Sequence, residues 1–112
     1  MPLDLWQASY SPEGTKGSVK EGGTKRRQYI AQLVEKAGGK LHAMYLALGE
    51  HDVVGIVEFP DHSTTLSMSV AVNGAGAVRL HSTPLLTPEE VDAATKKTVA
   101  YRPPGASALI QT

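Results

Sequence analysis

Glu58 closes the run Val53-Val54-Gly55-Ile56-Val57-Glu58 and is its one charge. If the run is a strand, alternate side chains share a face, and Glu58 falls in line with Val54 and Ile56. A carboxylate there is costly unless paired or hydrogen-bonded. It can also carry the raised pKa that a general base needs. Simple hairpin pairing sets Ala43 near Glu58, and that small side chain leaves room for a pocket. The plainer alternative is a wet strand end, with Glu58 bonded to Lys40 or to a helix start.

A second set is Tyr10, His51, Asp52, Arg79 and the approach Gly22-Gly23-Thr24. A glycine-rich approach to a helix presents free backbone N–H groups and suits anions. Lys25-Arg26-Arg27 follows in the first turn, where cations oppose the helix dipole. A carboxylate or phosphate would relieve that opposition. A solvated basic turn is the competing account. Together, Glu58, Tyr10, His51, Asp52 and Arg79 are the expected ligand-binding residues.

Four histidines raise the question of a metal. His42 and His81 fall on strands expected at opposite sheet edges, roughly 14 Å apart at ~4.8 Å per strand step. His51 lies in a turn and His62 at a helix start, and no pair has i, i+4 spacing. No metal and no cofactor is expected. No phosphate loop, nucleophile elbow or dinucleotide fingerprint occurs. Trp6, Tyr29 and Tyr45 are expected in the core.

The elements that position these residues centre on one hairpin. Apolar residues lead into Gly49-Glu50-His51-Asp52 and away from it, and Pro60-Asp61 stops the second strand. Before it, Leu5–Tyr10 reads as a first strand closed by Ser11-Pro12-Glu13-Gly14. Thr15 to Gly23 reads as a loop, with one helical turn at Ser18–Glu21. Thr24, as a cap, opens a helix to Ala37, with Tyr29, Ile30, Leu33 and Val34 on one face. Strands follow at Lys40–Leu48 and Asp52–Phe59. Ser63 to Gly76 alternates like a strand through Leu66, Met68, Val70 and Val72. A crossover is needed there, which favours a helix. Val78–Pro84 is the fourth strand. Thr87-Pro88-Glu89-Glu90 is a capping box opening a helix to about Thr98.

The chain has 112 residues, enough for one domain, expected over 1–105 with a tail over 106–112. It has no cysteine, which excludes disulfides and thiolate metal sites. Lys plus Arg equals Asp plus Glu at 11 each, so the basic footprint of a nucleic-acid binder is missing. No signal peptide is apparent and no apolar run reaches the ~20 residues a bilayer needs. A cytoplasmic protein without nucleic-acid or membrane partners is expected.

Right-handed crossovers applied to this order give a ferredoxin-like βαββαβ antiparallel sheet, order 4-1-3-2, with an extra C-terminal helix. The helices cover one face. The other is too apolar to stay wet, so a second copy is expected to cover it.

Several ordered motifs carry a family likeness. They are Tyr10-Ser11-Pro12-Glu13-Gly14, Lys20 to Arg27, Gly38-Gly39-Lys40-Leu41, Gly49 to Val54, Val57 to Asp61, Leu85 to Glu90 and Tyr101 to Gly105. Across nearly its whole length the chain resembles the GYD domain family. The resemblance implies a dimeric α+β barrel and no particular activity. His51 stands where the family motif has tyrosine. Fold does not dictate function. Two readings follow: a small-molecule-binding oligomer, with or without enzymatic activity, or a non-enzymatic oligomeric or regulatory module whose sheet face only joins subunits.

Overall fold

Strict alternation along Leu3–Tyr10 (β1) buries Asp4, Trp6 and Ala8 and leaves Leu3, Leu5 and Gln7 half-buried on the opposite face. The computed structural model, which describes residues 2–106 and 110–111, begins this strand two residues before the expected Leu5. Val53–Glu58 (β3) repeats the pattern, burying Gly55 and Val57 and leaving Val54, Ile56 and Glu58 on the other side. With Lys40–Leu46 (β2) and Val78–Leu85 (β4) these form one antiparallel sheet of order β2-β3-β1-β4, which is 4-1-3-2 counted from the β4 edge. That order is compatible with a ferredoxin-like fold.

Two helices cover the buried face. Gly23–Lys36 (α2) contributes the fully buried Val34, and His62–Ala75 (α3) contributes Met68 and Thr65. They close on Trp6, Ala8, Val57, Phe59 and Leu80. The Trp6 and Phe59 rings sit 5.7 Å apart at a tilt, a favoured aromatic arrangement. Asn73 of α3 accepts from the Leu80 N–H at 2.7 Å and donates to the Leu80 carbonyl at 3.1 Å. It thereby satisfies part of the free edge of β4, which edge strands otherwise leave open.

The sequence expectation fails most plainly before α2. Pro12–Glu21 (α1) is a ten-residue helix, where a loop with a single turn at Ser18–Glu21 was expected. Ser11 caps it by accepting from the Gly14 N–H at 3.0 Å, and proline opens it. A Cβ at Gly14 would strike the Ala77 carbonyl, so this glycine serves close packing, not a loop. Thr24 is not the cap of α2. Gly22 takes that place at φ 91° and offers no side-chain bond. That backbone angle favours glycine and lets α1 end as α2 begins.

Other boundaries shift. The Ser63–Gly76 segment is helical, capped by Asp61, which accepts from both Thr64 N–H and Thr64 Oγ1–H at 2.8 Å. Its period-two pattern has a cost, since Leu66 and Val70 point outward. Strand β2 ends at Leu46, not Leu48. Pro88–Thr95 (α4) has the expected capping box and ends three residues short of Thr98. Tyr29 and Tyr45 are exposed, contrary to their expected core placement. Ala100–Tyr101 (β5) pairs with Ile110–Gln111 (β6) within the expected tail, while 107–109 and 112 lie outside the described residues. Among the described residues no helix is long and apolar enough to cross a membrane.

Candidate functional site

Small residues meet where the sheet faces the helices. Ala8 and Gly55 on the central strands face Ala71 and Ala75 of α3 and leave a cavity of about 320 Å³. Larger apolar side chains complete the wall, among them Trp6, Ile30, Leu33 and Met68. The Trp6 indole N–H is buried and has no acceptor among the described residues. An unpaired buried donor costs about 1–3 kcal/mol.

The cavity's polar side chains besides Trp6 are Tyr10, Arg26 and Tyr29. Tyr10 and Arg26 also border two neighbouring clefts, one along α1 and one reaching Thr24 and Arg27. The Arg26 guanidinium lies 3.7 Å from Glu21 and 5.1 Å over the Tyr29 ring. Both contacts steady its plane at the mouth without burying its charge. The start of α2 adjoins it, with no side-chain cap and no acidic residue in its first turn. An apolar interior with a guanidinium at its opening suits an apolar body bearing an acidic group. The described lining holds no carboxylate or imidazole; the Tyr10 and Tyr29 hydroxyls can donate or accept, and the Arg26 guanidinium donates.

The sheet divides the five residues singled out from sequence. Tyr10 faces the helices and lines the cavity. Asp52 serves its backbone: one carboxylate oxygen accepts from the Tyr10 N–H at 2.9 Å, while the Asp52 N–H donates to the Ala8 carbonyl at 2.8 Å. His51 and Arg79 lie on the opposite face. His51 Nδ1 is 3.4 Å from Ser9 Oγ, its ring meets His81 at 6.1 Å edge to face, and Arg79 pairs in register with Ser9. Among the described residues no three His, Cys, Asp or Glu side chains are grouped to hold a metal ion.

Glu58 also faces away from the helices. It meets His42 Nε2 at 3.3 Å and lies outside the cavity lining. The expected pairing with Ala43 is replaced by a register shift. Ala43 lies opposite Ile56, Lys40 lies opposite Glu58, and an irregularity falls between Leu41 and Ala43. Such a bulge re-aims a side chain, here His42 toward Glu58.

Among the described residues the buried carboxylate is Asp4, 1% exposed, which the sequence reading passes over. The Thr65 hydroxyl of α3 lies 3.4 Å from it and 3.3 Å from the Asp61 carbonyl, with one proton to share between the two acceptors. The signal was present, because Asp4 is in phase with Trp6 and Ala8. Starting β1 at Leu5 hid it.

Fold and cavity together define an α+β protein with a four-stranded antiparallel sheet, helices on one face and an apolar pocket between the layers. Within that class the chain belongs to the GYD domain family, whose model matches residues 5–95. That span runs from β1 to the end of α4. The chain matches no curated protein and no solved structure significantly.

Proposed function

We propose that this protein binds a small amphipathic acid between its sheet and helices, and does so as a homo-oligomer joined through the open sheet face. The observation that carries the binding reading is the apolar cavity whose mouth holds Arg26 and Tyr10. Arg26 takes the acidic group, Asp52 holds the Tyr10 backbone in place, and the interior takes the apolar body. On the other face, Leu3, Leu5, Val54 and Ile56 form an apolar band beside Glu58, His51 and Arg79. A second subunit on that band encloses all three polar residues at the interface.

Trp6 is the one tryptophan of the chain and lines the cavity, so its fluorescence reports occupancy. Titration with octanoate is expected to shift Trp6 emission saturably. Arg26→Ala is expected to weaken octanoate about tenfold, the loss of one charge-assisted contact, and to leave octanol binding unchanged. A silent titration ends the binding reading. The position of Glu58, held by His42 away from the cavity, favours a second reading in that event: a non-enzymatic module whose sheet face joins subunits.

A further inference from the structure

Beyond β4 the chain leaves its own body. Among the described residues, every one from Pro88 to Arg102 is exposed, and α4 buries none of its side chains. Leu86, Val91, Val99 and Tyr101 stand 44–65% open. The radius of gyration is 18.4 Å and the longest extent 61 Å against 29 and 24 Å. A folded chain of this length has a radius of about 13 Å. Its accessible surface is 7940 Å², where a compact monomer of this mass shows about 6,000 Å².

Local structure does not explain an extended arm. An eight-residue helix is marginal alone in water, and an isolated two-stranded ribbon such as β5–β6 is too. Yet α4 is built with care: Thr87 and Glu90 complete both bonds of its capping box. An arm so specified, with its apolar side chains open, is a half-interface.

We infer that the segment Leu86–Tyr101 is an exchange arm that packs against a second copy of this chain. Two observations select that occupant. The excess surface is roughly 2,000 Å² per chain, more than the ~800 Å² per partner of a standard interface and in the range of obligate pairs. The arm is continuous with the open sheet face, because Leu85 ends β4 opposite Leu3, in line with Leu5 and Ile56. One two-fold operation therefore covers the sheet and seats both arms. This inference deepens the homo-oligomer proposed above and adds to the sheet pairing a second, separable contact.

The test is sedimentation equilibrium of the full chain and two variants, with X-ray scattering and circular dichroism. Val91→Asp/Val99→Asp alters exposed arm positions and leaves the body intact. Ile56→Asp alters the sheet face. Expected is a native dimer whose dissociation constant rises at least tenfold in the arm variant, with unchanged dichroism of the body. An arm variant that dimerises like the native chain overturns the arm and leaves the sheet pairing standing. Loss of dimer in the arm variant with an unaffected Ile56→Asp dimer supports the arm and removes the sheet pairing. A native monomer with a radius near 13 Å overturns both, because the arm then folds back on its own body.

Discussion

On the helix side of the sheet, Val57 and Phe59 are fully buried and Trp6 nearly so; one residue along the same strands, Leu5, Ile56 and Glu58 remain half-open. The two faces share a backbone, a register and a similar apolar content. They differ in what lies over them. Helices α2 and α3 seal one face and leave a cavity of about 320 Å³ inside the seal. The other face has nothing of this chain packed across it among the described residues. An alternating strand thus supplies two apolar surfaces, and topology decides which becomes core.

The contrast is sharpest at neighbouring positions. Phe59→Ala removes a fully buried ring packed on Trp6 and is expected to cost about 3–5 kcal/mol in urea denaturation. Ile56→Ala, measured at concentrations where chains are dissociated, is expected to cost clearly less. Equal losses would mean the open face is core within one chain and would break the comparison.

A middle-sized effect lies with Asp4. Thr65→Val keeps shape and removes the hydroxyl shared between this buried carboxylate and the Asp61 carbonyl. Leaving the carboxylate without that partner is expected to cost about 1–3 kcal/mol at neutral pH. Stability unchanged in Thr65→Val would show that Asp4 is held by other means.

The smallest effect concerns the cap of α3. Backbone and side-chain hydrogen bonds from Thr64 hold the Asp61 carboxyl below its ordinary pKa, with a lesser pull from His62. A depressed folded value favours folding above the unfolded pKa, and that contribution fades as pH falls through the folded value. Asp61→Ala is therefore expected to lower stability slightly at neutral pH and to match the native chain in strong acid. A difference that persists below the carboxylate range would show that the cap does not act through its charge.

Much of the architecture was legible because its signals are local and repeated. Apolar runs on both sides of the Gly49–Asp52 turn mark the β2–β3 hairpin, and Thr87-Pro88-Glu89-Glu90 marks α4. What escaped depended on contacts distant in sequence. Three glycines, Gly17, Gly22 and Gly23, make Thr15–Gly23 read as a loop, and the packing of Gly14 against the Ala77 carbonyl, distant in sequence, accompanies the helix that forms instead. Glu58 shares the open face of β3 with Val54 and Ile56, and the irregularity between Leu41 and Ala43 that accompanies its His42 contact depends on the pairing of two strands. Tyr10, Asp52, His51 and Arg79 lie near one end of the sheet, yet alternation sends Tyr10 and Arg79 to opposite faces. Arg26 was read as one cation of a basic turn, and the fold makes it the cavity's mouth.

Native mass spectrometry of the protein as purified tests the central claim most directly. The expected result is a mass excess of one small acid per chain, released on unfolding and lost in Ala8→Phe, which fills the cavity from its floor. A bare chain mass in the native protein, together with Trp6 emission indifferent to octanoate, would contradict a ligand-binding cavity.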